Sequence, residues 1–128
     1  MIEEPDPERL LRLMAAHSRA VKARSAALME VIRNATGLDA EIANLWSDIE
    51  AKLLDVEKSI VEHLAEHGAL AIADLTVATD IVWTLNYPSV WQLLVRQREW
   101  SAEQYECWLG DILCSELLTP QGGARRGG

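Results

Sequence analysis

Phenylalanine is absent from this sequence, and only two tyrosines accompany its five tryptophans. Cysteine is nearly as scarce. Cys107 and Cys114 fall on one expected helix, about 10 Å apart along its axis, which is too far for a bridge within the chain. No apolar run is long enough to span a bilayer, so no membrane-spanning segment is expected. The opening residues Met1 to Pro5 are acidic and lack an apolar stretch, so no signal peptide is expected either. Reduced thiols without an export signal suggest the cytoplasm. Positive charge is also short: 12 basic residues face 20 acidic ones, a net charge of −8. Between Asn34 and Val95 the basic residues are Lys52 and Lys58 alone, against ten acidic ones. A chain that neutralises phosphates needs a basic surface. Nucleic-acid binding through this chain alone is therefore not expected, and the acidic middle repels anionic membranes.

What is present is a globular composition, 49% hydrophobic and 25% charged over 128 residues. That suits one domain with a core of its own. The patterning is helical throughout, and no strand pattern, internal repeat or sustained heptad run competes. Asp6-Pro7-Glu8 opens a first helix with a cap, a first-position proline and a first-turn acid. Its expected apolar stripe is Leu10, Met14, His17, Val21, Leu28 and Ile32, ending near Asn34 to Gly37. Asp39 caps a second helix whose apolar line runs Ile42, Leu45, Trp46, Ile49, Leu53, Val56, Ile60 and Leu64. Asp48, Lys52, Asp55, Lys58 and Glu62 form its solvated face, and Gly68 ends it. Thr76 is expected to cap a third helix, which Pro88 must interrupt. Helix resumes from Val90 to Val95. Ser101 and Gln104 form a capping box for the last helix, which stops before Pro120. The expected fold class is all-α, an antiparallel bundle of four main helices over residues 1–118, with a disordered tail at 119–128.

Candidate sites follow from residues that break these patterns. His17 lies on the expected apolar stripe of the first helix, where a polar group needs a partner. That partner is either a ligand or a neighbouring side chain. Asn86 and Tyr87 precede the Pro88 break, where a broken helix frees backbone groups; they serve either a ligand or the kink itself. His63-Leu64-Ala65-Glu66-His67 matches the H-x-x-E-H pattern of one class of zinc peptidases. Its place in the last turn before Gly68 suits histidines near a negative helix end, so no metal site is expected. No nucleophile constellation and no phosphate loop is legible. Neither an enzyme nor a cofactor is expected. On the last helix, Tyr105, Trp108, Leu109 and Ile112 are spaced to face the chain's own core. Cys107, Gly110, Cys114 and Leu117 form a second stripe with small residues, expected to meet a partner helix across a twofold axis.

The segment from Asp80 to Val95, with Trp83, Asn86, Tyr87, Pro88 and Trp91, resembles the penultimate helix of tetracycline-repressor (TetR) family regulators. The segments Arg96 to Leu109, Asp6 to Leu10 and Leu38 to Trp46 are similar to the same C-terminal domain type, in the same order. The resemblance covers roughly residues 5–118. It implies a ligand pocket inside the bundle, with Trp83 against an unknown small apolar effector, and a homodimer through the last two helices. Members of that family begin with a helix-turn-helix domain, which this chain lacks. The expected function is thus the ligand-sensing and dimerisation half of a TetR-like transcriptional regulator. The alternative is a stand-alone helical interaction protein that pairs with a full-length regulator.

Overall fold

A cap residue marks the start of each long helix. In the computed structural model, which describes residues 4–120, Asp6 accepts from the Glu8 amide and opens α1 (Pro7–Asn34). Asp39 accepts from the Glu41 amide and opens α2 (Ala40–Glu66). Ser101 accepts from the Gln104 amide and opens α5 (Ala102–Leu117). These satisfy amides that the helix itself leaves unpaired. The third cap is a correction. Asp74, rather than Thr76, opens α3 (Leu75–Asn86), accepting from the amides of both Thr76 and Val77 at 2.9 and 3.3 Å. A carboxylate that reaches two amides at the positive helix end displaces the hydroxyl of a residue whose own amide is one of the donors.

Gly68 ends α2 in the left-handed region at φ 68°. The Ala69 amide donates to Leu64 O at 2.9 Å and the Gly68 amide to Ala65 O at 3.1 Å, a Schellman termination. Pro88 ends α3. Tyr87 before it is extended (ψ 140°), as the proline ring requires. Helix restarts at once as α4 (Pro88–Trp91) and widens into π-type turns over Gln92–Gln97. Among the described residues there is no strand. The one bridge pairs Leu70 with Leu118, tying the α2–α3 link to the chain beyond α5. The tail expected to be disordered lies, from residue 121 on, outside the described residues.

The core gathers Leu10, Leu11, Met14 and Ala15 of α1, Ile60, Val61 and Leu64 of α2, Val82 of α3, Trp91 of α4, and Tyr105, Leu109 and Leu113 of α5. The α1–α5 seam sets how α1 is turned. Gly110 sits against α1 so closely that a Cβ there would meet Ala15 Cβ at 3.7 Å and the Arg12 guanidinium at 3.0 Å. Small residues on both sides permit this approach. Ion pairs flank the seam: Arg12 with Asp111 at 2.8 Å, and Arg19 with Glu103 and Glu106 at 3.2 and 3.0 Å. The basic residues concentrated near the start of the sequence are thus opposite acidic residues of α5.

That seam overturns two expectations. Leu10 and Met14 of the expected stripe are buried, but beside them the buried line of α1 runs through Leu11, Ala15, Ser18, Lys22 and Ala26, and His17 and Leu28 are exposed. Contact with α5 rotates the helix so that its small-residue side faces inward. On α5, Gly110, Cys114 and Leu117 are buried in the chain's own core and Cys107 is exposed. The stripe assigned to a partner helix is mostly covered by α1. α2 departs less, with Trp46, Ile60 and Leu64 of its expected line buried. Leu45 and Val56 are exposed and Glu57 is buried.

Candidate functional site

The break at Pro88 has a chemical consequence. A helix that stops leaves its last carbonyls without amide partners, and Val90 N donates to Tyr87 O rather than to Asn86 O. The carbonyl of Asn86 is therefore available at the negative end of α3. Lys22, 5% exposed, reaches it from α1. Its Nζ donates to Asn86 O at 2.6 Å, Asn86 Oδ1 at 2.7 Å and Ser18 Oγ at 2.7 Å. Three acceptors match the three donors of an ammonium, and the helix terminus favours a cation there. Ser18 donates its own hydroxyl to Asn86 Oδ1 at 2.6 Å. The Lys22 ammonium also lies 5.8 Å from the centre of the buried Tyr105 ring.

Asn86 passes this network to α2. Its Nδ2 donates to Glu57 Oε2 at 2.9 Å. Glu57 is 2% exposed, and its other oxygen, Oε1, is buried without a donor. An amide thus stands between a buried ammonium and a buried carboxylate. Burial pulls the Lys22 ammonium down to about 7, against the opposing pull of the Glu57 charge. Burial likewise pushes the Glu57 carboxyl upward, opposed by the Asn86 hydrogen bond and by Lys22. Both directions express the cost of holding charge away from water.

Above this network lies a groove of about 130 Å³ between α1, α2 and the α3–α4 break. Ser18, Lys22, Glu57 and Asn86 form its polar part, and Met14, Val21, Met29, Leu53, Val56 and Pro88 its apolar walls. An engineered apolar cavity of about 150 Å³ holds benzene, so the space suits a molecule of one ring. Two other depressions are larger but more open. One, of about 250 Å³, lies between α2 and α3 beside Lys58, Glu62 and Asp80. The other, of about 520 Å³, spreads over Glu8, Arg9 and Arg12. Neither includes a buried charged group, so neither has comparable means of selecting a ligand.

Of the residues singled out in the sequence, Asn86 lies at the centre of this site. His17 lines the groove only from its exposed rim, because α1 turns Ser18 inward in its place. Trp83 is half-buried outside the groove, its ring 5.3 Å from that of Tyr87. The Tyr87 hydroxyl donates to Glu50 at 2.8 Å, and its ring meets Trp46 edge-on at 6.5 Å. These aromatics brace the kink. His63 and His67 stack on each other at 4.2 Å, with His67 Nδ1 at 2.9 Å from the His63 carbonyl. Among the described residues no group of three or more His, Cys, Asp or Glu side chains is arranged to hold a metal ion. Ser18, Lys22 and Glu57 are the residues that sequence reasoning missed. The signal for Ser18 and Lys22 is the run Leu11, Ala15, Ser18, Lys22, Ala26, a line at helical spacing with small residues around its lysine; Glu57 has no such signal.

No family model, curated protein or solved structure matches the chain. Among the described residues, no helix is long and apolar enough to cross a membrane.

Proposed function

We propose that this chain is a non-catalytic ligand-binding domain that holds a small, largely apolar molecule in the groove above Lys22, Asn86 and Glu57. The observation that carries this reading is the pairing of apolar walls with a buried polar network that leaves one carboxylate oxygen without a donor. Ligand sites combine apolar surface with a few placed polar groups in this way. Lys22 spends all three donors on Ser18 and Asn86, which supports a holding role over a nucleophilic one. The resemblance to TetR regulators extends the proposal. On that reading the domain senses a cytoplasmic effector and, as a homodimer, relays its presence to DNA-binding domains outside this chain. The relay requires the effector to prefer one arrangement of the helices over another. Homodimerisation rests on the resemblance alone, since most of the stripe chosen for it lies inside the chain's own core.

Thermal unfolding with toluene as a probe tests the binding reading. Toluene in excess raises the midpoint by a few degrees, as mass action requires of any molecule that binds the native state alone. Val21→Trp, which fills the groove, abolishes that rise. An unchanged midpoint, or a rise that persists in Val21→Trp, counts against the groove.

A further inference from the structure

We infer that the groove selects a small apolar amine, held as its ammonium by Glu57. This inference rests on the ligand-binding reading and narrows it to a chemical class. It follows from a complete count of donors and acceptors in the network. Lys22 gives its three donors to three acceptors on Ser18 and Asn86. Asn86 Oδ1 takes two bonds, from Lys22 and Ser18, and Asn86 Nδ2 gives one to Glu57 Oε2. Glu57 Oε1 and the Tyr105 hydroxyl are buried without a partner, and of the two only Glu57 lines the groove. A molecule entering between Val21, Leu53 and Pro88 comes against the Glu57 side chain, whose Oε1 still lacks a donor. A carboxylate or phosphate end would face the Glu57 charge and find the three donors of Lys22 already spent, while a donor end completes the network.

Charge decides between kinds of donor. The Glu57 carboxylate receives one neutral bond, from an amide. The Lys22 ammonium is turned toward the α3 terminus and Ser18, with no direct ion pair to Glu57. A carboxylate so placed gains most from a charged donor, because a bond between two ionised groups is roughly twice as strong as one between neutral groups. The body of the molecule is bounded by the space. About 130 Å³ admits one ring, and Met14 and Met29 offer polarizable sulfur to an aromatic one. A benzylic or similarly short aralkyl ammonium meets every condition.

Titration calorimetry of the full chain with benzylamine, benzyl alcohol and toluene separates the possibilities. On the unmodified protein benzylamine binds about tenfold or more tightly than toluene, with benzyl alcohol between them. In Glu57→Gln, benzylamine binds no more tightly than toluene measured on the same variant. Equal affinities for benzylamine and toluene overturn the amine inference while the groove stands. Benzyl alcohol ahead of benzylamine overturns the ammonium in favour of a neutral donor. If none of the three binds, the ligand-binding reading falls with it. The series on the unmodified chain decides even where Glu57→Gln does not fold.

Discussion

Lys22 is the residue whose surroundings depart furthest from its chemistry. Held at 5% exposure, its amine is tied into three short hydrogen bonds, yet burial weakens its hold on a proton. The pH dependence follows from its lowered pKa. Between about 7 and the ordinary 10.5, the unfolded chain carries a proton on Lys22 that the folded chain has shed. The unfolded state then binds more protons, so stability rises with pH across that window. From pH 7 to pH 9 the gain is about 2 kcal/mol, measurable as a rising urea midpoint. Glu57 acts in the opposite sense at acid pH. Its raised carboxyl still holds a proton where the unfolded one has released it, so stability falls as pH rises from 4.5 into the raised range. Lys22→Met flattens the rise above pH 7. It also costs about 1–3 kcal/mol at neutral pH, because it leaves the buried acceptors of Asn86 and Ser18 without their donor. A midpoint in the unmodified protein that stays level from pH 7 to pH 9 would contradict the buried position of Lys22. Asn86 was legible in the sequence, since Pro88 announces a broken helix beside it. Lys22 and Glu57 were not. A helical pattern that is apolar on nearly two faces leaves its rotation to be settled by a partner helix.

At the scale of elements, the caps were legible and the faces were not. Asp6, Asp39, Gly68 and Ser101 act through neighbours two to five residues away, which a sequence displays directly. Asp74 shows the limit even there, since a stronger acceptor two residues upstream took the place expected for Thr76. The faces of α1 and α5 depend on each other across nearly the whole chain. Gly110 is central to that dependence, and its substitution separates helix propensity from packing. Gly110→Ala gains about 1 kcal/mol of helix propensity and displaces the Arg12 guanidinium, whose exposed ion pairs contribute about 0–1 kcal/mol. The net change in unfolding free energy stays within about 1 kcal/mol. Gly110→Leu forces α1 and α5 apart and costs several times as much, about 3 kcal/mol. A tolerated leucine would place Gly110 outside the α1–α5 seam.

For the whole molecule, an acidic surface encloses a site whose two buried charges are opposite. The helical class is plain from the patterning. The oligomeric state is less direct, because the apolar surplus of α5 that pointed to a partner is mostly consumed by α1. On the regulator reading, light scattering at micromolar concentration gives twice the 14.3 kDa chain mass. A value equal to that mass would remove the homodimer and leave a monomeric binding domain. The claim on which the rest depends is that the groove over Lys22, Asn86 and Glu57 takes a ligand. Amide chemical shifts of the ¹⁵N-labelled protein titrated with toluene test it residue by residue. The account predicts saturable shifts confined to the groove, at Ser18, Val21, Lys22, Leu53 and Glu57. Shifts that never saturate and gather instead at the exposed Leu28, Val31, Leu38 and Leu93 would contradict it.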